Sequence, residues 1–152
     1  MLSIYESFSL SISSMYHDIQ KIERTEMAKF GLKGPHAQCL LAMNRYPEGI
    51  TAAQLCEACE KDKAAISRTV SELEQAGLVQ RRERNGIRYR APLTLTEQGR
   101  EAARSVSIRA QQAVERAGEG LDDAQREVFY RVLALIAGNL HAICKDGLQE
   151  EA

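Results

Sequence analysis

Five arginines, Arg81, Arg82, Arg84, Arg88 and Arg90, fall within one ten-residue window. Planar guanidinium forks at that density suit an anion with several oxygens, such as a run of phosphates. Upstream, Lys63, Ala64, Ser67, Arg68 and Ser71 recur at helical spacing. They form a face of short side chains carrying two long cationic arms, Lys63 and Arg68. The plainer readings are a solvated charged face for the arginines, a packing role for Ser67, and an i,i+4 ion pair between Arg68 and Glu72. Cys56 and Cys59 form a C-x-x-C, and His36-x-x-Cys39 and His141-x-x-Cys144 have i,i+3 spacing. Such pairs hold zinc only where two of them meet, which spacing alone does not show. Two small buried apolar residues is the simpler reading of Cys56 and Cys59. Thiol oxidation, at Cys39 or Cys144, is a third possibility and requires a reachable thiolate. The three histidines are scattered, no glycine-rich phosphate loop is present, and no nucleophile stands beside a general base. An enzyme is therefore not expected, and no cofactor or metal site is assigned.

Charge is unevenly distributed along the 152 residues, whose formal total is -1. Residues 61–90 carry 8 basic and 4 acidic side chains, whereas residues 111–152 carry 4 and 8. That excludes a uniformly basic coat protein and leaves a local cationic patch. Trp is absent, and Phe with Tyr supply only 5% of residues, too few for a base-stacking platform on single strands. No unbroken apolar run reaches membrane-spanning length, so no membrane partner is expected. Four cysteines without a secretory leader imply free thiols and a cytoplasmic location.

The elements that must position these residues are mostly helices. Ile4, Phe8, Ile12, Met15, Tyr16, Ile19 and Ile22 form one apolar stripe, predicting a helix over 4–29. Pro35 opens a second helix that runs to about Tyr46. Thr51 to Gln54 is a capping box for a short helix, and Asp62 caps the next, with Ile66, Val70 and Leu73 inward and Gly77 just past its end. Asn85-Gly86 marks a hairpin whose return strand, Arg88 to Leu95, is demoted to an edge or ended by Pro92. A helix-turn-helix followed by a β-hairpin is a winged-helix arrangement. Thr96 caps a long helix to about Ala117, and Asp122 caps a last one with Phe129, Val132, Leu133, Ile136, Leu140 and Ile143 inward.

The fold class is thus mainly α with a small β-hairpin wing. Residues 1–33 form an N-terminal dimerisation helix, 34–95 a winged helix-turn-helix, and 96–152 C-terminal dimerisation helices. The long terminal stripes exceed what so small a winged helix can cover, so they bury against each other or against a second copy, most simply in a two-fold homodimer.

The segments Ile50-Thr51-Ala52-Ala53-Gln54-Leu55, Asp62 to Val70, Leu73-Glu74-Gln75-Ala76-Gly77-Leu78-Val79 and Leu95-Thr96-Glu97-Gln98-Gly99 resemble the MarR family of bacterial transcription regulators. The resemblance runs over nearly the whole chain. It implies homodimers that bind palindromic double-stranded DNA, usually as repressors, and release it on binding a small ligand or on thiol oxidation. Lys63, Ala64, Ser67, Arg68 and Ser71 would then enter the major groove, and Thr51 would meet a phosphate. Arg84, Arg88 and Arg90 would serve the wing. The family's Asp-x-Arg wing tip is replaced by Asn85-Gly86-Ile87-Arg88, which leaves Arg88 and Arg90 as alternatives for the minor groove. Tyr16, His17 and Met43 are candidates to line an effector pocket. Other readings are a redox- or zinc-responsive regulator of the same fold, and a winged helix that binds an acidic protein.

Overall fold

The structure, a computed structural model, describes residues 3–82, 86 and 91–148. In chain order the elements are α1 (Ile4–Ala28), α2 (Gly34–Asn44), α3 (Ala52–Cys59), α4 (Lys63–Gln75), β1 (Val79–Arg81), β2 (Leu93–Leu95), α5 (Glu97–Ala117) and α6 (Asp123–Asp146). Side-chain caps set most helix starts. Ser3 and Glu6 exchange hydrogen bonds at α1, as Thr51 and Gln54 do at α3 and Asp122 and Gln125 at α6. Asp62 accepts from the Ala65 amide at 2.8 Å, and Thr96 accepts from the Gly99 amide at 3.1 Å. Each cap satisfies an amide the helix itself cannot, worth about 1 kcal/mol.

Two compact units result, Met1–Gln112 and Ala113–Ala152. The first has one core. Met27 of α1, Leu40 and Met43 of α2, Leu55 of α3, Ile66 and Leu73 of α4, and Val106 of α5 are all nearly or fully buried, along with Leu93 of β2. Burying each such side chain is worth about 2 kcal/mol. Strands β1 and β2 pair antiparallel, Val79 with Leu95 and Arg81 with Leu93. Leu93 also exchanges two backbone bonds with Ile50, at 2.9 and 3.0 Å. At Leu93 the return strand is therefore central rather than an edge. Pro92 is tolerated because only its carbonyl is used, accepting from the Arg82 amide at 2.9 Å.

Helix α5 begins hard against the end of α4. The Thr96 hydroxyl donates to the Gly77 carbonyl at 2.7 Å, and the Thr96 amide donates to Leu78 O at 3.0 Å. Gly99 makes this seam possible, because a Cβ there would lie 2.0 Å from the Leu78 carbonyl oxygen. Gly77, at φ +74°, turns the chain out of α4 as the C′ position requires.

Long apolar stretches stay uncovered within a single chain. On α1, Phe8, Ile12, Met15 and Ile19 are exposed. None of the residues of α6 is buried, including Phe129, Val132, Leu133, Leu140 and Ile143, which their spacing would turn inward. By length and composition α6 is also the one helix among the described residues able to cross a membrane. It passes because averaging hydropathy hides Arg131, Asn139 and His141, which interrupt the apolar run.

Candidate nucleic-acid interface

Helices α3 and α4 are joined by Glu60 and Lys61, with Glu60 in the left-handed conformation at φ 50°. The turn lets α4 lay Ile66, Val70 and Leu73 into the core. The opposite face carries Lys63, Ala64, Ser67, Arg68 and Ser71, all exposed, and Thr51 is exposed at the start of α3. Glu72 is bonded to His36 of α2 and to Lys33, the residue before that helix. Its carboxylate accepts from His36 Nε2 at 2.6 Å and from Lys33 Nζ at 3.4 Å. These bonds, the histidine's first, hold the Glu72 carboxyl below its ordinary range. His36 Nδ1 accepts from the Lys33 amide at 2.9 Å, which leaves Nε2 as the nitrogen that donates to Glu72. The i,i+4 partner proposed for Arg68 by spacing is thus engaged elsewhere.

Two wing arginines are tied to the body. Arg81 Nε donates to Glu74 at 3.0 Å and fixes β1 to α4. Arg82 lies 3.6 Å from Glu48 in an exposed pair of little energetic weight. Gly86 has a positive φ of 73°, as a hairpin tip needs. Arg84, Arg88 and Arg90 lie outside the described residues.

This capped helix pair, with its outward basic face and its two-stranded wing, has counterparts of known class. Residues 30–86 match the MarR_2 model, described as the MarR family. Over that segment the chain is similar to the MarR family. Solved structures extend the likeness to the rest of the chain. A MarR family transcription regulator aligns at TM-score 0.80 with 20% identity, covering 93% of each chain. A MarR transcriptional regulator from Methanosarcina mazei aligns at 0.79 with 23% identity, covering 91% of this chain and 99% of its own. BpsR of Bordetella bronchiseptica, whose DNA binding is regulated by 6-hydroxynicotinic acid, aligns at 0.71 with 18% identity, covering 87% and 99%. Identities this low establish shared architecture: the fold is the MarR-type winged helix. No curated protein matches the sequence.

Beside the MarR-type helix pair, a cleft of about 230 Å³ opens between α1, α2 and the α3–α4 turn. Tyr16, Gln20, Glu23, Arg24, Gln38 and Lys61 line it. Of the three candidate pocket residues only Tyr16 is among them. Met43 is 2% exposed and belongs to the core, because its position on α2 faces the domain interior. His17 is exposed on α1 and does not line the cleft. Burial pushes the Glu23 carboxyl up, and the charge of Lys61 opposes that shift.

The cysteines are arranged otherwise than the C-x-x-C suggests. Cys59 points into the core while Cys56 is half-buried. The partner of Cys59 is Cys39 on α2, with the two sulfurs 3.7 Å apart. Among the described residues no group of three or more His, Cys, Asp or Glu is placed to hold a metal. His36, the nearest histidine by sequence to Cys39, is committed to Lys33 and Glu72.

Proposed function

We propose that this chain is a cytoplasmic, homodimeric, DNA-binding transcriptional regulator that represses from a pseudo-palindromic operator. The observation that carries the reading is the outer face of α4. It presents Ser67, Arg68, Ser71, Lys63 and Ala64 to solvent on a helix whose inner face is locked in the core of a MarR-type fold. Small residues let such a helix descend into the major groove, where Arg68 reaches guanine O6 and N7 or a phosphate. Thr51 contacts a phosphate beside the amino end of α3. Arg84, Arg88 and Arg90 belong to the wing, which follows the adjacent minor groove.

Dimerisation is assigned to residues 1–33 and 96–152. The uncovered apolar side chains of α1 and α6 support it, since together they exceed what a soluble monomer leaves in water. A second copy related by a two-fold axis covers them and sets two copies of α4 on successive turns of one duplex face. A small organic effector is assigned to the cleft by Tyr16. To release DNA it must favour one spacing of the two heads over the other, because equal affinity shifts nothing.

The test is selection of duplexes from a random-sequence pool by the purified protein, followed by titration. A conserved two-fold motif is expected, with affinity falling steeply as salt rises. Arg68→Ala should cost about 1–3 kcal/mol of duplex affinity and leave thermal unfolding unchanged. Recovery of no motif, or equal binding to random duplex, overturns the reading in favour of an acidic protein partner.

A further inference from the structure

Helix α4 is held against its domain in two ways. Ile66, Val70 and Leu73 bury apolar surface, an attraction without direction that does not by itself fix how far the helix is turned about its axis. Two polar tethers supply direction. Glu72 accepts from His36 Nε2 at 2.6 Å and ties the helix to α2. Glu74 accepts from Arg81 Nε at 3.0 Å and ties it to β1. Successive helical residues point about 100° apart, so residues 72 and 74 leave the axis on nearly opposite flanks. Ser67, Arg68 and Ser71 belong to the same rigid helix, and a turn that carries Glu72 away from α2 carries them with it.

The histidine differs from the residues at the same place in other helices of this chain. The third residues of α1, α3 and α6 are Glu6, Gln54 and Gln125, and each accepts from the amide of the residue before its helix. At α2 that bond is made by His36 Nδ1 to the Lys33 amide. A side-chain oxygen suffices for it. The imidazole brings a second nitrogen on the far side of a rigid ring, and this one reaches α4. The His36 side chain is 4% exposed against 43% for Glu72, so the donor is fixed inside the domain while the acceptor belongs to the helix it restrains.

We propose that His36 is a positioning residue for sequence reading: through Glu72, and against the Glu74–Arg81 tether on the other flank, it sets the roll of α4 and so the angle at which Ser67 and Arg68 meet the bases. Its effect on affinity rests on the DNA-binding reading, whereas its hold on α4 in the free protein does not. Buried as it is, the ring touches no duplex. A helix rolled out of place keeps its charges, so attraction to phosphates survives while base contacts are lost.

The variants chosen cut the tether and spare the helix start. His36→Asn keeps an acceptor at the place of Nδ1 and offers no donor at the place of Nε2. Glu72→Ala removes the acceptor, and Glu72→Gln retains one. The two Glu72 variants lose the same charge, so a difference between them reads the bond rather than a missing carboxylate. For a duplex recovered from the random pool, His36→Asn and Glu72→Ala should each weaken binding about tenfold, and Glu72→Gln by no more than about twofold. Affinity for random duplex should stay equal between the two Glu72 variants. The double variant His36→Asn with Glu72→Ala should bind no worse than either single one. Equal motif affinity for Glu72→Ala and Glu72→Gln, additive losses in the double variant, or a loss as large for random duplex as for the motif overturns the positioning role. Crystal structures of the free wild type and of His36→Asn should differ by a turn of α4 about its axis, and superimposable helices overturn the hold on α4. Should His36→Asn fail to fold, Glu72→Ala, changed at a half-exposed side chain, gives the same comparison. Wild-type protein that selects no motif overturns the DNA reading, and the free structures still decide what His36 does to α4.

Discussion

The winged helix and the last helix use apolar residues in opposite ways. In the winged helix Leu40, Leu55, Ile66 and Leu73 are covered by their own chain. On α6, Phe129, Val132, Leu133 and Leu140 are of the same chemical kind and none is buried. Burial worth about 2 kcal/mol per side chain is thus realised in one region and left available in the other. The first region is complete within a monomer. The second is a surface built for something that the single chain does not supply, and the proposed second copy would supply it.

The largest test of that contrast is Leu133→Glu. In a two-fold interface the change occurs twice, at about 2 kcal/mol or more each, and light scattering should find a monomer. A dimer unaffected by the change would mean that α6 is not the interface. Gly99→Ala attacks the completed region. The new Cβ meets the Leu78 backbone, which cannot step aside, and about 3 kcal/mol of stability should be lost. Thermal unfolding should show the melting temperature falling by several degrees. Gly138→Ala probes α6 with the same added methyl. Nothing lies within 4 Å of it in the single chain, so helix propensity alone favours alanine by about 1 kcal/mol. A loss of stability instead would show that the partner sits directly on Gly138.

The smallest effect concerns acid. The depressed Glu72 carboxyl contributes stability present above the ordinary carboxylate range and lost as pH falls through its folded value. Urea midpoints of the wild type should therefore drop as solutions are acidified, and Glu72→Gln should drop less. Equal slopes would show that the contact with His36 contributes nothing to folding.

What the sequence reveals about this fold follows from chain distance. Thr51, Asp62, Thr96 and Asp122 are legible as caps because a cap and its amide lie three residues apart. The inward stripe of α4 is legible for the same local reason, and it leaves Ser67 and Arg68 outward by elimination. Contacts made by the tertiary fold are not legible. Cys56 and Cys59 look paired because they are neighbours in sequence, yet Cys59 meets Cys39 across α2. Glu72 looks like the partner of Arg68 and belongs to His36, 36 residues away. Met43 fits a pocket by type and fills the core by position. Gly99 gives no signal, since only the approach of the Leu78 carbonyl shows why a side chain there is forbidden.

His36 carries a wider lesson. One nitrogen of its ring is fastened to the amide that opens α2, and the other to a carboxylate in the last turn of α4. The ring therefore bridges those two helices beside their shared core, a spacer as well as a link. A shorter residue there would alter how far α4 stands off α2 before it altered whether the domain folds.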